Sequence, residues 1–209
     1  MVRVTDPTAH WTTVWTSKDP SATSWYQATP EPCSTMIRAV SSVDSRVAIV
    51  GVGVSLLVAD LLTHGYRSID AVDISGDALS RLRKQLGDRA LAVRFIQADV
   101  RALELAQPVE VWHDRATFHF LTDPADRATY ASRAAAAIVS GGHLIVATFA
   151  LDGPAQCSDL PVQRHDAPSL AREFKEHFTL VDHAEHLHVT PWGSEQRFIY
   201  ATLRRTKES

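Results

Sequence analysis

The run VAIVGVGVS, residues 47–55, sets a short apolar stretch directly against two glycines one residue apart. VAIVGV (47–52) is continuously apolar and rich in β-branched residues, which predicts a buried strand. Gly51 and Gly53 permit positive φ and let a ligand approach the backbone closely. SLLVADLLTHG (55–65) then takes up helical spacing and stops on Gly65. Its first turn is expected to present free N–H groups at the glycines. Strand, glycine turn and helix form the opening unit of an open α/β sheet, whose ligands sit at the carboxyl ends of the strands.

The alternation continues outward from that unit. IDAVDI (69–74), LAVRFIQAD (91–99), PVEVWHD (108–114) and GGHLIVATFA (141–150) read as strands. Helices are predicted over 33–43, over 75–87 with Ser75 as cap, over 123–138 with Pro124 in the first turn, and over 169–178. The Gly- and Pro-bearing segment 151–166 reads as a loop. The segments 179–190 and 194–205 read as two strands joined by Pro191-Trp192-Gly193. The predicted fold class is therefore α/β: a Rossmann-like seven-stranded, mostly parallel sheet, its last strand antiparallel, with helices on both faces. Residues 1–209 are expected to form one domain, with an N-terminal aromatic lid and helix over 1–44 and the core over 45–209. The lid carries Trp11, Trp15, Trp25 and Tyr26.

Composition narrows the function. The chain has 209 residues, 21 Lys and Arg against 24 Asp and Glu, a formal net charge of -3 and 45% hydrophobic residues. Two cysteines, Cys33 and Cys157, are too few for a disulfide scaffold or a thiolate zinc module. The near-neutral balance argues against a nucleic-acid partner. No stretch reaches about 18 apolar residues, so no membrane partner is expected, and the N-terminus lacks the pattern of a secretory signal. A cytoplasmic protein with a small-molecule substrate is expected; the oligomeric state is left open. His183, His186 and His188 lack a recognised ligand spacing, so no metal is expected, and they read as exposed strand histidines.

Two acids fall in register with the glycine turn. Asp73 ends the second strand, about twenty residues beyond Gly53, where a carboxylate accepts from ribose hydroxyls. Asp99 ends the third strand and can accept from an adenine amino group. A nicotinamide site would want a third glycine where Leu56 stands.

These features resemble the class I S-adenosylmethionine-dependent methyltransferases. Gly51 and Gly53 match the glycine motif, Asp73 the ribose acid and Asp99 the adenine acid, over a likeness running from about residue 45 to 204. SWYQ (24–27), DISGDAL (73–79), WHDRATFHFL (112–121) and TFALDGPAQCSDLPVQRH (148–165) are similar to a group of small bacterial methyltransferases, and the cysteine-bearing loop to tellurite- and thiol-type enzymes. The resemblance implies S-adenosylmethionine as cofactor and S-adenosylhomocysteine as product. It implies a cofactor site of Trp25, Gly51, Gly53, Ser55, Asp73, Ile74, Asp99, Val100 and His113. One position departs from the pattern. The family has an acid two residues before the first glycine, where Ile49 stands, which predicts weaker cofactor binding and, at the extreme, a non-catalytic adenosine-binding module.

Four residues are expected to surround the transferred methyl group. His119 is a candidate general base, placed on one helical face with Arg115 if 115–120 turns as a helix, or else packs under that loop. Arg115 can hold an anionic substrate or the cofactor's methionine carboxylate, or else pair with Asp114. Tyr26 can bond the substrate while Trp25 faces the sulfonium, or both can simply pin the arm to the core. Cys157 can bind a soft thiol or chalcogen substrate, or be an inert thiol, with Arg164 and His165 on the same rim. Cys33 reads as packing. An oxygen, nitrogen or protein-lysine acceptor is the alternative to a soft nucleophile.

Overall fold

A computed structural model describes residues 6–206; the ends of the predicted lid and core, 1–5 and 207–209, lie outside the described residues. Seven strands form one sheet. In chain order they are β1 (Val47–Val50), β2 (Ile69–Asp73), β3 (Val93–Gln97), β4 (Val109–Arg115), β5 (Ile138–Phe149), β8 (Phe178–Val189) and β9 (Glu195–Arg205). Their order across the sheet is β3-β2-β1-β4-β5-β9-β8. β1 to β5 run parallel, and β9 inserts antiparallel between β5 and β8. The order reverses between β1 and β4, the switch point where open α/β sheets hold ligands.

The helices cover both faces because every β1 residue is buried. Val47 and Ile49 face α2 (Cys33–Val40), α3 (Leu57–Thr63) and α4 (Gly76–Leu86) in one apolar layer. Ala48 and Val50 face α5 (Pro124–Ala137) and α6 (Ala167–Phe174) in the other. Local signals set the ends. The Ser75 hydroxyl accepts from the Ala78 N–H, and Gly87 closes α4 at φ 57°. Asp166 and Ser169 form a reciprocal capping box on α6.

Three elements differ from the sequence expectation. The arm contains an eleven-residue helix, α1 (Pro7–Ser17), capped by Asp6 and held at its far end by Arg81 of α4, which donates to the Lys18 and Thr16 carbonyls. The loop after β5 contains a small hairpin, β6 (Gln156–Cys157) and β7 (Leu160–Pro161), turned by Ser158 and Asp159 at positive φ. β5 begins at Ile138, straight from the end of α5, rather than after the Gly-Gly pair.

Candidate active site

The glycine turn after β1 is fixed from β2. The Val52 N–H donates to the Val72 carbonyl at 3.0 Å, and the Gly53 N–H donates to Asp73 Oδ2 at 2.8 Å. Asp73 Oδ1 accepts from the Ser75 N–H, so one carboxylate ties the turn to the start of α4. Burial pushes this carboxyl up to about 6, against the pull of those N–H bonds. Gly51 and Gly53 both take positive φ. A methyl group on Gly53 would fall 2.6 Å from the Trp15 ring, and one on Gly51 would fall 1.7 Å from Thr117 Oγ1. Both glycines are therefore required by conformation and by space. Ser55 Oγ accepts from the Leu57 N–H at the head of α3.

At the end of β3, Asp99 is paired with Arg101, whose Nε lies 3.0 and 3.1 Å from the two carboxylate oxygens. Arg101 Nη1 also reaches Asp126 at 3.0 Å. Burial pushes Asp99 up, but the Arg101 bonds and charge outweigh it and hold the carboxyl below its ordinary value.

The β4 side chains alternate between the two faces, as period-2 geometry requires. Asp114 faces the α5 layer. It accepts from Tyr130 Oη at 2.7 Å and from the Thr117 and Phe118 N–H groups. Trp112 Nε1 donates to the same Tyr130 oxygen at 2.9 Å. Burial raises Asp114 to about 6. His113 and Arg115 face the other way. His113 stands in register with Ile49, and neither of its buried ring nitrogens has a hydrogen-bond partner. Burial first, and the Arg115 charge second, push His113 down to about 3, so it is neutral.

Arg115 is held at three points. Its Nε donates to Tyr200 Oη at 3.1 Å, Nη1 donates to the Trp25 carbonyl at 3.0 Å, and the guanidinium lies 4.6 Å from the Phe198 ring centre. The suggested Asp114–Arg115 pair does not form, because the two side chains leave opposite faces of the sheet.

One cavity of about 880 Å³ brings these groups together at the carboxyl ends of the strands. Trp25, Tyr26, Gly51, Gly53, Ser55, Asp73, Ile74, Asp99, Val100, His113, Arg115 and Cys157 all line it. Burial pushes the Cys157 thiol up to about 11.

His119 is not brought to this cavity. After Arg115 the chain passes through Ala116 at positive φ into a single 3-10 turn, Phe118–Phe120, so no helical face joins the two residues. His119 is fully buried between Phe120 and Phe149, with ring centres 4.4 and 5.0 Å away, and burial holds it down to about 3. Arg164 bonds the Gly153 carbonyl and His165 packs on Phe118, so neither reaches the rim. Nor are the strand histidines all exposed: His188 is buried, its Nε2 2.7 Å from the Ser24 carbonyl, and His186 is half-buried against Tyr200. Among the described residues no cluster of side chains suits a metal, and no helix is long and apolar enough to cross a membrane.

Sequence reasoning missed several cavity residues. Cys33, read as packing, lines it, and its Sγ lies 4.0 Å from Tyr200 Oη. Trp11, Trp15, Thr117 and Phe120 line it as well. The aromatics were visible as a cluster, but no sequence signal placed them over the glycine turn.

Residues 47–142 match the family model described as a methyltransferase domain. The matched residues run from β1 to the start of β5, so the glycine turn, Asp73 and Asp99 all lie within the segment that resembles a methyltransferase domain. Among solved structures, one described for the conversion of a disulfide bond into a thioacetal group during echinomycin biosynthesis is 20% identical. It has a TM-score of 0.79, over 97% of this chain and 94% of that one. The Burkholderia thailandensis 1,6-didemethyltoxoflavin-N1-methyltransferase, with 1,6-didemethyltoxoflavin and S-adenosylhomocysteine bound, is 24% identical, TM-score 0.68, over 93% and 81%. The N-methyltransferase NodS from Bradyrhizobium japonicum WM9, in complex with S-adenosylhomocysteine, is 14% identical, TM-score 0.71, over 97% and 100%. At these identities the likeness is one of fold. No curated protein matches the sequence.

Proposed function

We propose that this cavity holds S-adenosylmethionine over the glycine turn and delivers its methyl group to a small soft nucleophile, a thiol or a chalcogen species. In this reading Asp73 receives the ribose, and Ile74, Asp99 and Val100 border the adenine. Gly51, Gly53 and Ser55 let the backbone approach the cofactor, and Trp25 and Tyr26 close from above as part of the 1–44 lid on the 45–209 core. Bound there, S-adenosylmethionine supplies an electrophilic methyl carbon. The chain's own part is to align the acceptor, exclude water and set local charge.

His113 resolves the oddity at position 49. Ile49 and His113 are register partners on the same sheet face, and both line the cavity. The imidazole, neutral and unpartnered, supplies the hydrogen-bonding group that the usual acid would have given to the cofactor's amino group.

The soft-acceptor reading rests on one observation: both thiols of the protein, Cys33 and Cys157, line the same end of the cavity as Arg115. The neighbour described for the conversion of a disulfide bond into a thioacetal group supports the reading. Two free cysteines also suit a reducing, cytoplasmic setting. Calorimetric titration with S-adenosylhomocysteine tests the cofactor site. Saturable binding is expected, weakened about tenfold in His113→Phe. No heat with the wild-type protein would sink the reading and leave a repurposed pocket.

A further inference from the structure

Arg115 carries a charge that the protein does not answer. Its Nε and Nη1 donors are satisfied, but Nη2 is buried and has no partner. Among the described residues no carboxylate forms an ion pair with it. The groups that feel its charge are Cys33 on α2, His113 on β4, His119 in the turn beyond, Cys157 on β6, His186 and His188 on β8, and Tyr200 on β9. Burial pushes the two thiols and the phenol up and every one of these imidazoles down, so all are held in their neutral forms. The acids that line the cavity are engaged elsewhere: Asp73 is bound to the glycine turn, Asp123 caps α5, and Asp99 and Asp126 share Arg101. An isolated guanidinium in a partly dry pocket is costly unless a counter-ion reaches it.

We infer that the methyl acceptor is a small monoanion that enters already ionised and takes the free Nη2 of Arg115 as its counter-charge. This rests on the methyl-transfer reading and deepens it. The class includes thiolates, chalcogenolates and phenolates, and it excludes amines that arrive protonated, a lysine ammonium among them.

The chemistry balances without a base. A lone pair on the acceptor anion forms the bond to the methyl carbon. The bond from that carbon to the sulfonium sulfur breaks, and its electron pair returns to sulfur. One negative and one positive charge are annihilated, and no proton leaves in this step. That fits the residues present. His113 and His119, held down to about 3, are too weakly basic to deprotonate a thiol whose ordinary value is about 8.5. Arg115 does instead what a base would do, by favouring the ionised acceptor at equilibrium. Its position is set beforehand by Tyr200, the Trp25 carbonyl and the Phe198 ring, so little reorganisation is needed when the anion arrives.

The test uses protein saturated with S-adenosylhomocysteine and two probe pairs at neutral pH: 4-nitrothiophenolate against 4-nitroaniline, and benzoate against benzamide. Each anion is expected to bind about tenfold or more tighter than its neutral partner. Arg115→Gln should abolish that preference in protein still saturated with S-adenosylhomocysteine. Arg115→Lys, which keeps charge but loses the fork, should retain part of it and decides the matter if the Gln variant does not fold. Equal binding of anions and neutrals by the wild type would overturn the proposal. So would an Arg115→Gln variant that loses S-adenosylhomocysteine affinity while keeping the anion preference, since Arg115 would then serve the cofactor's carboxylate. Failure of the wild type to bind S-adenosylhomocysteine at all would refute the cofactor reading instead, and is seen before any probe is added.

Discussion

His119 shows how one buried side chain outside the cavity sets pH behaviour. It has no hydrogen-bond partner and sits among aromatic rings, so burial keeps it neutral, with its value near 3 against the ordinary 6.5. The unfolded chain takes up a proton on this residue below about 6.5, and the fold does not. The sign follows: the stabilisation is complete above about 6.5 and is lost as pH falls toward 3, on the order of 3–5 kcal/mol over the whole span. His113 and His165, also held down by burial, add terms of the same sign. His119→Phe keeps a ring in the site and deletes the titration. Its urea midpoint should fall less steeply than the wild type's between pH 6.5 and 4, by about one proton's worth of slope. Identical slopes would mean that His119 is solvated or charged in the fold. Nothing in WHDRATFHFL announces that the chain turns at Ala116 and carries His119 inward. The period-2 alternation of β4, by contrast, already separates His113 and Arg115 from Asp114.

At the scale of an element, the tip of β4 depends on a polar network on the far side of the sheet from the cavity. Trp112 Nε1, Tyr130 Oη and Asp114 form a buried chain of donors, and Asp114 holds the Thr117 and Phe118 N–H groups that start the next turn. Thr117 Oγ1 stands over Gly51, in the space that a side chain there would need. The network thus positions one wall of the cavity without touching anything bound in it. Tyr130→Phe removes the hydroxyl that serves Asp114 and strands Trp112 Nε1. It should destabilise the fold by about 1–3 kcal/mol, read by denaturant unfolding. S-adenosylhomocysteine should also bind more weakly to the folded variant, since the turn loses its anchor. Loss of stability with unchanged affinity would show that the turn is held by packing alone. The same variant should shift the Asp114 titration upward, because the Tyr130 hydroxyl is one of the three bonds that favour the carboxylate.

For the whole molecule, the sheet was the legible part. β1 is a continuous apolar run because both its faces are covered, and the glycines and acids follow from what a strand-end site needs. The first helix was not legible. PTAHWTTVWTS buries only Val14 and Trp15, too narrow an apolar face for a helical period to register, and its four threonines and two tryptophans read as cap. Its stability comes from tertiary contacts: the Arg81 bonds to its last carbonyls, Trp15 against Gly53, and Trp11 against Phe120 at 5.1 Å. That thin attachment has a consequence for function. Trp11 and Trp15 line the same cavity as the glycine turn, so a cofactor seated there would add contacts to α1. Local opening of α1 should therefore cost far less than global unfolding. In hydrogen exchange, the α1 amides should exchange well before those of β1 and β4 in the free protein. With S-adenosylhomocysteine at about 100 times its Kd, α1 should slow by up to about a hundredfold, matching the roughly 2.7 kcal/mol that mass action then adds to the closed state. Exchange in α1 as slow as in β1, and indifferent to S-adenosylhomocysteine, would make the arm a fixed part of the core rather than a lid.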